Sequence, residues 1–256
     1  MNDEYEDLRN SWNEKADDWQ IQVGDEGDRN RRQNSDPFLW DFLGKNLENK
    51  CVLDAGCGTG YLSRKIAQQR ALVTGVDISD NMITIAKELA QKNTLPGTYI
   101  ADSISSLQEL ETSFFDIIVS NYVLQDTPEI DKVLQAFHRV LKDDGRVIIV
   151  ITHPCFPQSD FTNVREDNSV HFKWTQSYLD VRKIIEKPWG HFKSDFIFYH
   201  RPLSYYWKTF RDCGFIVTKF DEPSPKDLSY VNNDERKYFE NRMRLNSVIF
   251  ELIKWK

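Results

Sequence analysis

The segment 52–63, VLDAGCGTGYLS, constrains the fold more than any other part of this 256-residue chain. A short apolar run ends directly in three glycines, Gly56, Gly58 and Gly60, and a helical pattern begins straight after them. Glycine lets a backbone turn sharply and approach a ligand closely, and the amino terminus of a helix favours negative charge. The segment therefore predicts a strand, a tight turn and a helix, with a ligand at the turn.

From Cys51 to residue 152, strands and helices alternate along the chain. Further apolar runs lie at 72–78, 98–101 and 114–121, and the turn DDG at 143–145 leads into the run VIIVI at 147–151. Continuous apolar strands in βαβ order indicate a parallel sheet covered on both faces. Two final strands are predicted at 214–220 and 246–255 with little between them, which indicates an antiparallel hairpin at the sheet edge.

Carboxylates stand at the ends of three successive predicted strands: Asp54, Asp77 and Asp102. The glycine spacing is GxGxG, whereas dinucleotide sites have GxGxxG. Asp54 would repel a pyrophosphate and attract an ammonium group. Asp77 can accept hydrogen bonds from two ribose hydroxyls, and Asp102 can accept one from the exocyclic amine of an adenine. A ligand with these groups and no phosphate fits best, and S-adenosylmethionine is such a ligand.

The same segments resemble the motifs of class I S-adenosylmethionine-dependent methyltransferases over roughly residues 10–152. DAGCGTG is similar to the family's first motif, VDIS to its acidic second-strand motif, ADS to its adenine-contacting motif, and FDIIVSNYVLQD and LKDDGRVIIV to its fourth strand and the turn and strand that follow. The resemblance implies S-adenosylmethionine as cofactor and S-adenosylhomocysteine as product. Catechol-type methyltransferases need a divalent metal, but the sequence leaves no carboxylate cluster for one, so no metal is predicted. The predicted cofactor contacts are Trp19, Asp54, Gly56, Gly58, Gly60, Asp77, Ile78, Met82, Asp102, Ser103, Asn121 and Tyr122.

The implied fold is α/β and Rossmann-like, with a mostly parallel seven-stranded sheet and an antiparallel edge strand. We predict one domain, in which an N-terminal helical lid (1–45) and a cofactor-binding core (46–152) precede an acceptor-side insertion (153–202) and a C-terminal helix with a strand hairpin (203–256). The polar stretch 24–36 breaks the helical pattern of the lid. Trp12 and Trp19 lie seven residues apart, so they share a helix face that either covers the cofactor or packs on the side of the domain.

The residues after the fourth strand favour a small-molecule acceptor. Methyltransferases of nucleic-acid bases and protein amides resemble one another in a [DN]-P-P-[YF] motif there, and this chain has NYVL at 121–124. Its net charge of −7 also argues against nucleic acid, whose phosphates require a basic surface. The apolar runs are far shorter than the ~20 residues that span a bilayer, and four scattered cysteines indicate a cytoplasmic protein without a membrane partner.

Aromatic residues are concentrated in the insertion and just after it. They form either the insertion's own small core, or an apolar acceptor site, or both. They are Phe156, Phe161, Phe172, Trp174, Tyr178, Trp189, Phe192, Phe196, Phe198, Tyr199, Tyr205, Tyr206 and Trp207.

Two histidines are candidate catalytic bases, because a hydroxyl or ammonium acceptor must lose a proton near neutral pH. His153 directly follows the fifth strand, where ligands of open α/β sheets bind, and His200 lies on the way back from the insertion. His153 can equally anchor the insertion by a hydrogen bond. We predict methyl transfer to an oxygen or nitrogen of a small molecule; a non-catalytic S-adenosylmethionine-binding regulator and an NAD-dependent oxidoreductase are the alternatives.

Overall fold

A computed structural model of the chain describes residues 3–156, 161–162, 171–172 and 176–256, with the backbone alone described at 161–162 and 171–172. The strands are β1 (Cys51–Ala55), β2 (Leu72–Asp77), β3 (Thr98–Ala101), β4 (Phe115–Asn121), β5 (Leu141–Thr152), β6 (Phe161–Thr162), β7 (His171–Phe172), β8 (Arg182–Glu186), β9 (Phe196–His200), β10 (Phe215–Asp221) and β11 (Ser247–Lys254). The α-helices are α1 (Asp3–Val23), α2 (Asp36–Leu43), α3 (Tyr61–Gln68), α4 (Asp80–Lys92), α5 (Ile130–Val140), α6 (Leu203–Asp212) and α7 (Glu235–Met243).

The central sheet has seven strands in the order β10-β11-β5-β4-β1-β2-β3. Strands β1 to β5 pair in parallel, and β11 lies between β5 and β10 and runs antiparallel to both. The predicted Rossmann-like sheet with an antiparallel edge is therefore confirmed. The expectation of little chain between the last two strands was wrong, because a 3-10 turn (Leu228–Val231) and helix α7 separate β10 from β11.

The middle of the sheet is buried on both faces. All five side chains of the apolar run 147–151 in β5 are fully buried, as a strand covered on both sides requires. Helix α5 covers one face with an apolar stripe formed by Ile130, Val133, Leu134 and Phe137, each at most 1% exposed. The predicted turn at 143–145 lies within β5, where the pairing with β4 shifts its register.

The N-terminal segment differs from its prediction in the polar stretch. Residues 24–28 of this stretch are not helical, but residues Arg31–Ser35 form a π-helical turn that continues into α2. Polar side chains of the turn are buried, including Arg31 and Asn34, because they find partners within the segment: Arg31 pairs with Asp28, and Asn34 donates to Asn30 (2.8 Å). The polar residues of this stretch therefore belong to a buried, hydrogen-bonded turn and not to an exposed loop.

The described part of the insertion consists mainly of an antiparallel hairpin, β8–β9. Its aromatic residues are distributed between the interior and the surface: Phe192 is buried, whereas Trp189 is 45% exposed. The side chains of Phe161 and Phe172, and all of Trp174, lie outside the described residues. Across the described ranges, no helix combines the length and apolarity needed to cross a membrane.

Candidate active site

The glycine turn between β1 and α3 has the backbone conformation that the motif predicts. Gly56, Gly58 and Gly60 have φ values of +80°, +53° and +77°, which side chains rarely allow. A Cβ at Gly56 would lie 2.3 Å from Val123, so only glycine fits there. A Cβ at Gly58 would lie 3.2 Å from the indole nitrogen of Trp19. The turn thus brings bare backbone against the β4–α5 connection and against α1.

A cavity, here called the inner cavity, lies between this turn, the carboxyl ends of β1, β2 and β4, and helix α1. Open α/β sheets bind ligands at this end of their strands. Ten of the predicted cofactor contacts line it: Trp19, Asp54, Gly56, Gly58, Asp77, Ile78, Met82, Ser103, Asn121 and Tyr122.

Two of the predicted contacts, Gly60 and Asp102, are not among the described residues that line the inner cavity. Gly60 is the N-cap of α3, and a Cβ there would lie 3.1 Å from the Cβ of Ala86 in α4, so a glycine is favoured where α3 begins beside α4. The carboxylate of Asp102 accepts hydrogen bonds from the Ser103 amide (2.7 Å) and the Ser106 hydroxyl (3.0 Å). The next residue, Ser103, lines the cavity instead of Asp102.

Asp54 and Asp77 place two buried carboxyl groups in the wall. Ser63 Oγ donates to Asp54 Oδ2 (2.5 Å), and burial raises the pKa of Asp54 to about 6. The oxygens of Asp77 accept one amide hydrogen bond each, from Gly58 (2.9 Å) and Ser79 (2.9 Å). A carboxylate offers about four acceptor positions, so both side chains retain capacity for a ligand's donors.

The end of β4 contributes an amide and a phenol. Asn121 Nδ2 donates to Tyr61 Oη (2.7 Å), and Asn121 Oδ1 is buried with no hydrogen-bond partner among the described residues. Tyr122, in a left-handed conformation (φ +60°), accepts a hydrogen bond from Asn30 Nδ2 (2.8 Å) and contacts the Ser247 hydroxyl. An unpaired buried acceptor is costly, which makes Asn121 Oδ1 a candidate partner for a ligand's donor.

Helix α1 covers the inner cavity on the side opposite the sheet ends. Trp12 and Trp19 pack edge to face, with ring centroids 5.3 Å apart, and Asn13 Oδ1 accepts hydrogen bonds from Ser79 Oγ (2.7 Å) and the Asn81 amide (3.2 Å). The guanidinium of Arg31 lies over Trp19 at 5.2 Å. The space that remains is ≈ 80 Å³, whereas small-molecule sites have roughly 300–1,000 Å³. A ligand the size of an adenosyl amino acid therefore requires these side chains to move.

A second cavity of ≈ 490 Å³, here called the outer cavity, adjoins the inner one. Five residues line both cavities: Trp12, Trp19, Arg31, Tyr122 and Asp126. Among these five residues, Asp126 is the one with a carboxyl group. Asp54 and Asp77 line the inner cavity alone, and Asp28, which lines the outer cavity alone, is paired with Arg31. Burial raises the pKa of Asp126 to about 8, although Arg31 and Arg201 oppose the shift.

Neither predicted catalytic histidine is among the described residues that line the two cavities. His153 is 2% exposed; its Nε2 lies 2.8 Å from Glu222 Oε1, and its Nδ1 accepts the Cys155 amide (3.2 Å). His200 Nε2 lies 2.8 Å from the carbonyl oxygen of Tyr178. The expectation that His153 faces the reacting groups is therefore corrected: both ring nitrogens are engaged in holding the start of the insertion.

Sequence reasoning missed three residues of the site. Tyr61 follows the glycine turn directly, and Asp126 ends the segment FDIIVSNYVLQD, so both stood inside recognised motifs. Arg31 is buried, and its guanidinium lies over the Tyr122 ring at 4.9 Å. It belongs to the polar stretch after α1, where composition gave no sign of a buried cation.

The chain belongs to the methyltransferase family: a model of the methyltransferase domain matches residues 46–192, more than half of its length. A ubiquinone biosynthesis O-methyltransferase of Coxiella burnetii is 35% identical over 101 residues, which are 40% of this chain. The chain spans 43% of the length of that relative. The predicted membership of the S-adenosylmethionine-dependent methyltransferases is confirmed, and S-adenosylmethionine is the cofactor that this membership implies.

Solved structures of low sequence identity share the fold. A crystal structure of an S-adenosylmethionine-dependent methyltransferase from Mesorhizobium loti has a TM-score of 0.71 at 17% identity, covering 90% of this chain and 99% of that one. Magnesium protoporphyrin IX methyltransferase from Synechocystis, crystallised with bound cofactor, has a TM-score of 0.62 at 18% identity and covers 99% and 98% of the two chains. These likenesses extend the fold beyond the family match to both ends of the chain.

Proposed function

We propose that this protein transfers a methyl group from S-adenosylmethionine to an oxygen or nitrogen atom of a small molecule that binds in the outer cavity. The observation that carries the proposal is the wall shared by the two cavities. A cofactor held at the glycine turn and an acceptor in the outer cavity would meet across Tyr122 and Asp126. Transfer requires such in-line positioning of two bound molecules with water excluded.

The residues of the inner cavity fit the cofactor. Asp54 would hold its ammonium group and Asp77 its ribose hydroxyls, while Ile78, Met82 and Ser103 would lie along the adenine. Asn121 Oδ1, buried without a partner among the described atoms, supplies a further acceptor for the amino acid part. S-adenosylmethionine supplies an electrophilic methyl group on a sulfonium, so the chain's own task is to bind, orient and remove a proton.

Asp126 is our candidate for the proton acceptor, in place of His153 and His200. Asp126 lines both cavities and accepts one long hydrogen bond, from Gln125 (3.3 Å), whereas neither histidine lines a cavity and each is hydrogen-bonded elsewhere. The acceptor's O–H or N–H would give its proton to the Asp126 carboxylate as the new bond to carbon forms, and the electron pair of the broken sulfur–carbon bond stays on sulfur. A carboxylate whose pKa is raised to about 8 is a strong enough base for this step near neutral pH.

An acceptor screen tests the proposed activity. Cell extract is incubated with protein and methyl-labelled S-adenosylmethionine, and labelled small molecules are identified by mass spectrometry. We expect a labelled metabolite, and much less of it at limiting cofactor with Asp54→Asn, which removes the charge facing the cofactor's ammonium. Cofactor binding by calorimetry without any labelled product would instead favour the regulatory alternative. Binding of NAD in place of S-adenosylhomocysteine would favour the oxidoreductase.

The pH dependence of turnover tests Asp126. Since the carboxylate form is the base, turnover should rise with pH through a pKa at or below about 8, because the cofactor's sulfonium favours the ionised form. Asp126→Asn should lower turnover by ~10²–10⁴-fold and abolish this rise. His153→Ala is the control and should retain it. An unchanged profile in Asp126→Asn would exclude Asp126 as the base.

Other parts of the proposal depend on the sequence as much as on the structure. We propose that the lid (1–45) and the insertion (153–202) belong to the same domain as the core, and that nucleic acid and membranes are not partners. The four cysteines, Cys51, Cys57, Cys155 and Cys213, are all free, which supports a reducing compartment and hence the cytoplasm. Microscopy of a fluorescent fusion, together with fractionation, tests this location.

A further inference from the structure

The outer cavity carries positive charge, although the whole chain has a net charge of −7. Arg29, Arg31 and Lys237 line it, against two acidic residues, Asp28 and Asp126. Asp28 is engaged in the ion pair with Arg31, which leaves Arg29 and Lys237 against the single carboxyl group of Asp126. The cavity therefore keeps an excess of positive charge whether Asp126 is ionised or neutral.

These two cations have no carboxylate within ion-pair distance among the residues that the structure describes. Arg29 is exposed, and its Nε donates to the side-chain oxygen of Gln33 (3.1 Å). Lys237, on α7, is half-buried; its pKa is lowered by burial and, next, by the charge of Arg29. Two like charges that face one cavity repel each other, and a bound anion would relieve this repulsion.

An aromatic surface lines the same cavity. Trp189 and Phe196 of the insertion are stacked, with ring centroids 5.3 Å apart and an interplanar angle of 13°, and Trp12 of α1 meets Phe196 edge to face at 6.2 Å. Trp189 is 45% exposed, so part of its ring remains available to a ligand. A planar ligand against Trp189 would cover this surface.

We propose that the methyl acceptor is a planar aromatic molecule that carries an anionic group, a carboxylate or a phosphate. Its ring lies against Trp189 and Phe196, and its anion is bound by Arg29 and Lys237. This assignment deepens the proposed function and rests on it, since it names the class of acceptor for the same site.

Binding of three matched probes tests the proposal without turnover. The probes are 2-naphthoate, 2-naphthyl phosphate and the neutral 2-naphthamide, titrated by calorimetry into the ligand-free protein and into its S-adenosylhomocysteine complex. At least one anion should bind about tenfold or more tightly than the amide, the difference expected for one charge-assisted contact. The anion that binds more tightly identifies the group as carboxylate or phosphate.

Variants separate the two cations from general electrostatics. Arg29→Gln/Lys237→Gln should abolish the preference for the anion and leave binding of the amide unchanged. Lys208→Gln/Arg236→Gln removes the same charge from exposed positions that do not line the cavity, and it should keep the preference. Equal binding of all three probes, no binding of any at millimolar concentration, or a preference that survives in Arg29→Gln/Lys237→Gln would overturn the proposal. A protein that fails to bind S-adenosylhomocysteine would refute the proposed function separately.

Discussion

Replacing Asp54 by asparagine should stabilise the ligand-free protein and weaken its binding of the cofactor. Burial raises the pKa of Asp54 from 3.8 to about 6. Because the folded pKa is the higher one, stability is lost as the pH rises from the unfolded value to the folded value, and the cost is constant above about 6. At ~1.4 kcal/mol per pKa unit, the ionised carboxylate costs the folded state roughly 3 kcal/mol at pH 7.5, and roughly 1.5 kcal/mol at pH 5. Asp54→Asn removes this cost.

Urea unfolding at pH 5 and pH 7.5, with and without S-adenosylhomocysteine, measures both effects. The free energy of unfolding of Asp54→Asn should exceed that of the wild type by about 1–2 kcal/mol more at pH 7.5 than at pH 5. The variant should also lose the charge-assisted contact to the ammonium, so its affinity for the ligand falls by ~10–100-fold. The exposed Asp17→Asn is the control and should show neither change. A variant that is less stable than the wild type at pH 7.5, or a gain equal at both pH values, would refute the reasoning.

The remaining predictions concern the ribose contact, the lid and the insertion. Asp77→Ala should weaken S-adenosylmethionine and S-adenosylhomocysteine by roughly 1.5–3 kcal/mol in calorimetry, since hydrogen bonds to a carboxylate are lost; unchanged affinity would exclude the ribose role. Tryptophan fluorescence should change when cofactor binds and change less in Trp19→Phe, because the side chains of α1 that line the inner cavity must move to admit a ligand; a fluorescence signal insensitive to the ligand would contradict the lid. His153→Ala should leave cofactor affinity and turnover within a few-fold of wild type but lower the melting temperature, because the ring ties the start of the insertion to Glu222; a loss of turnover by ~10²-fold or more would restore His153 as the base.

The fold followed from the sequence because its signals are local. Strand β3 was predicted at its observed bounds, and a helix was predicted directly after the glycine turn, where α3 lies, since apolar periodicity depends only on near neighbours. The polar turn 31–35 could not be predicted in this way. Its burial depends on partners such as Asp28 for Arg31, and polar composition alone indicates a loop.

The cofactor-binding part of the site could also be predicted from the sequence, because the order of the strands places the ends of β1, β2 and β4 together whatever the details of packing. Asp77 and Asn121 end their strands, Asp54 is the last residue but one of β1, and all three line the inner cavity. Asp102 also follows a strand, but its carboxylate caps the turn that begins at Ser103. A position at a strand end predicts proximity to the site, and the direction of the side chain is decided by local hydrogen bonds.

The acceptor side could not be predicted because it is assembled from segments far apart in the chain. Its cations come from the polar stretch and from α7, its aromatic surface from the insertion, and its carboxyl group from the β4–α5 connection. Residue type favoured histidine as the base, since its ordinary pKa lies near neutrality. Environment reverses that ranking: burial lowers the pKa of His153 and hydrogen bonds occupy its ring, whereas burial moves the pKa of Asp126 up to about 8 at the shared wall. In the proposed mechanism Asp126 therefore takes the role that the sequence assigned to a histidine, because Asp126 lines the outer cavity and His153 does not.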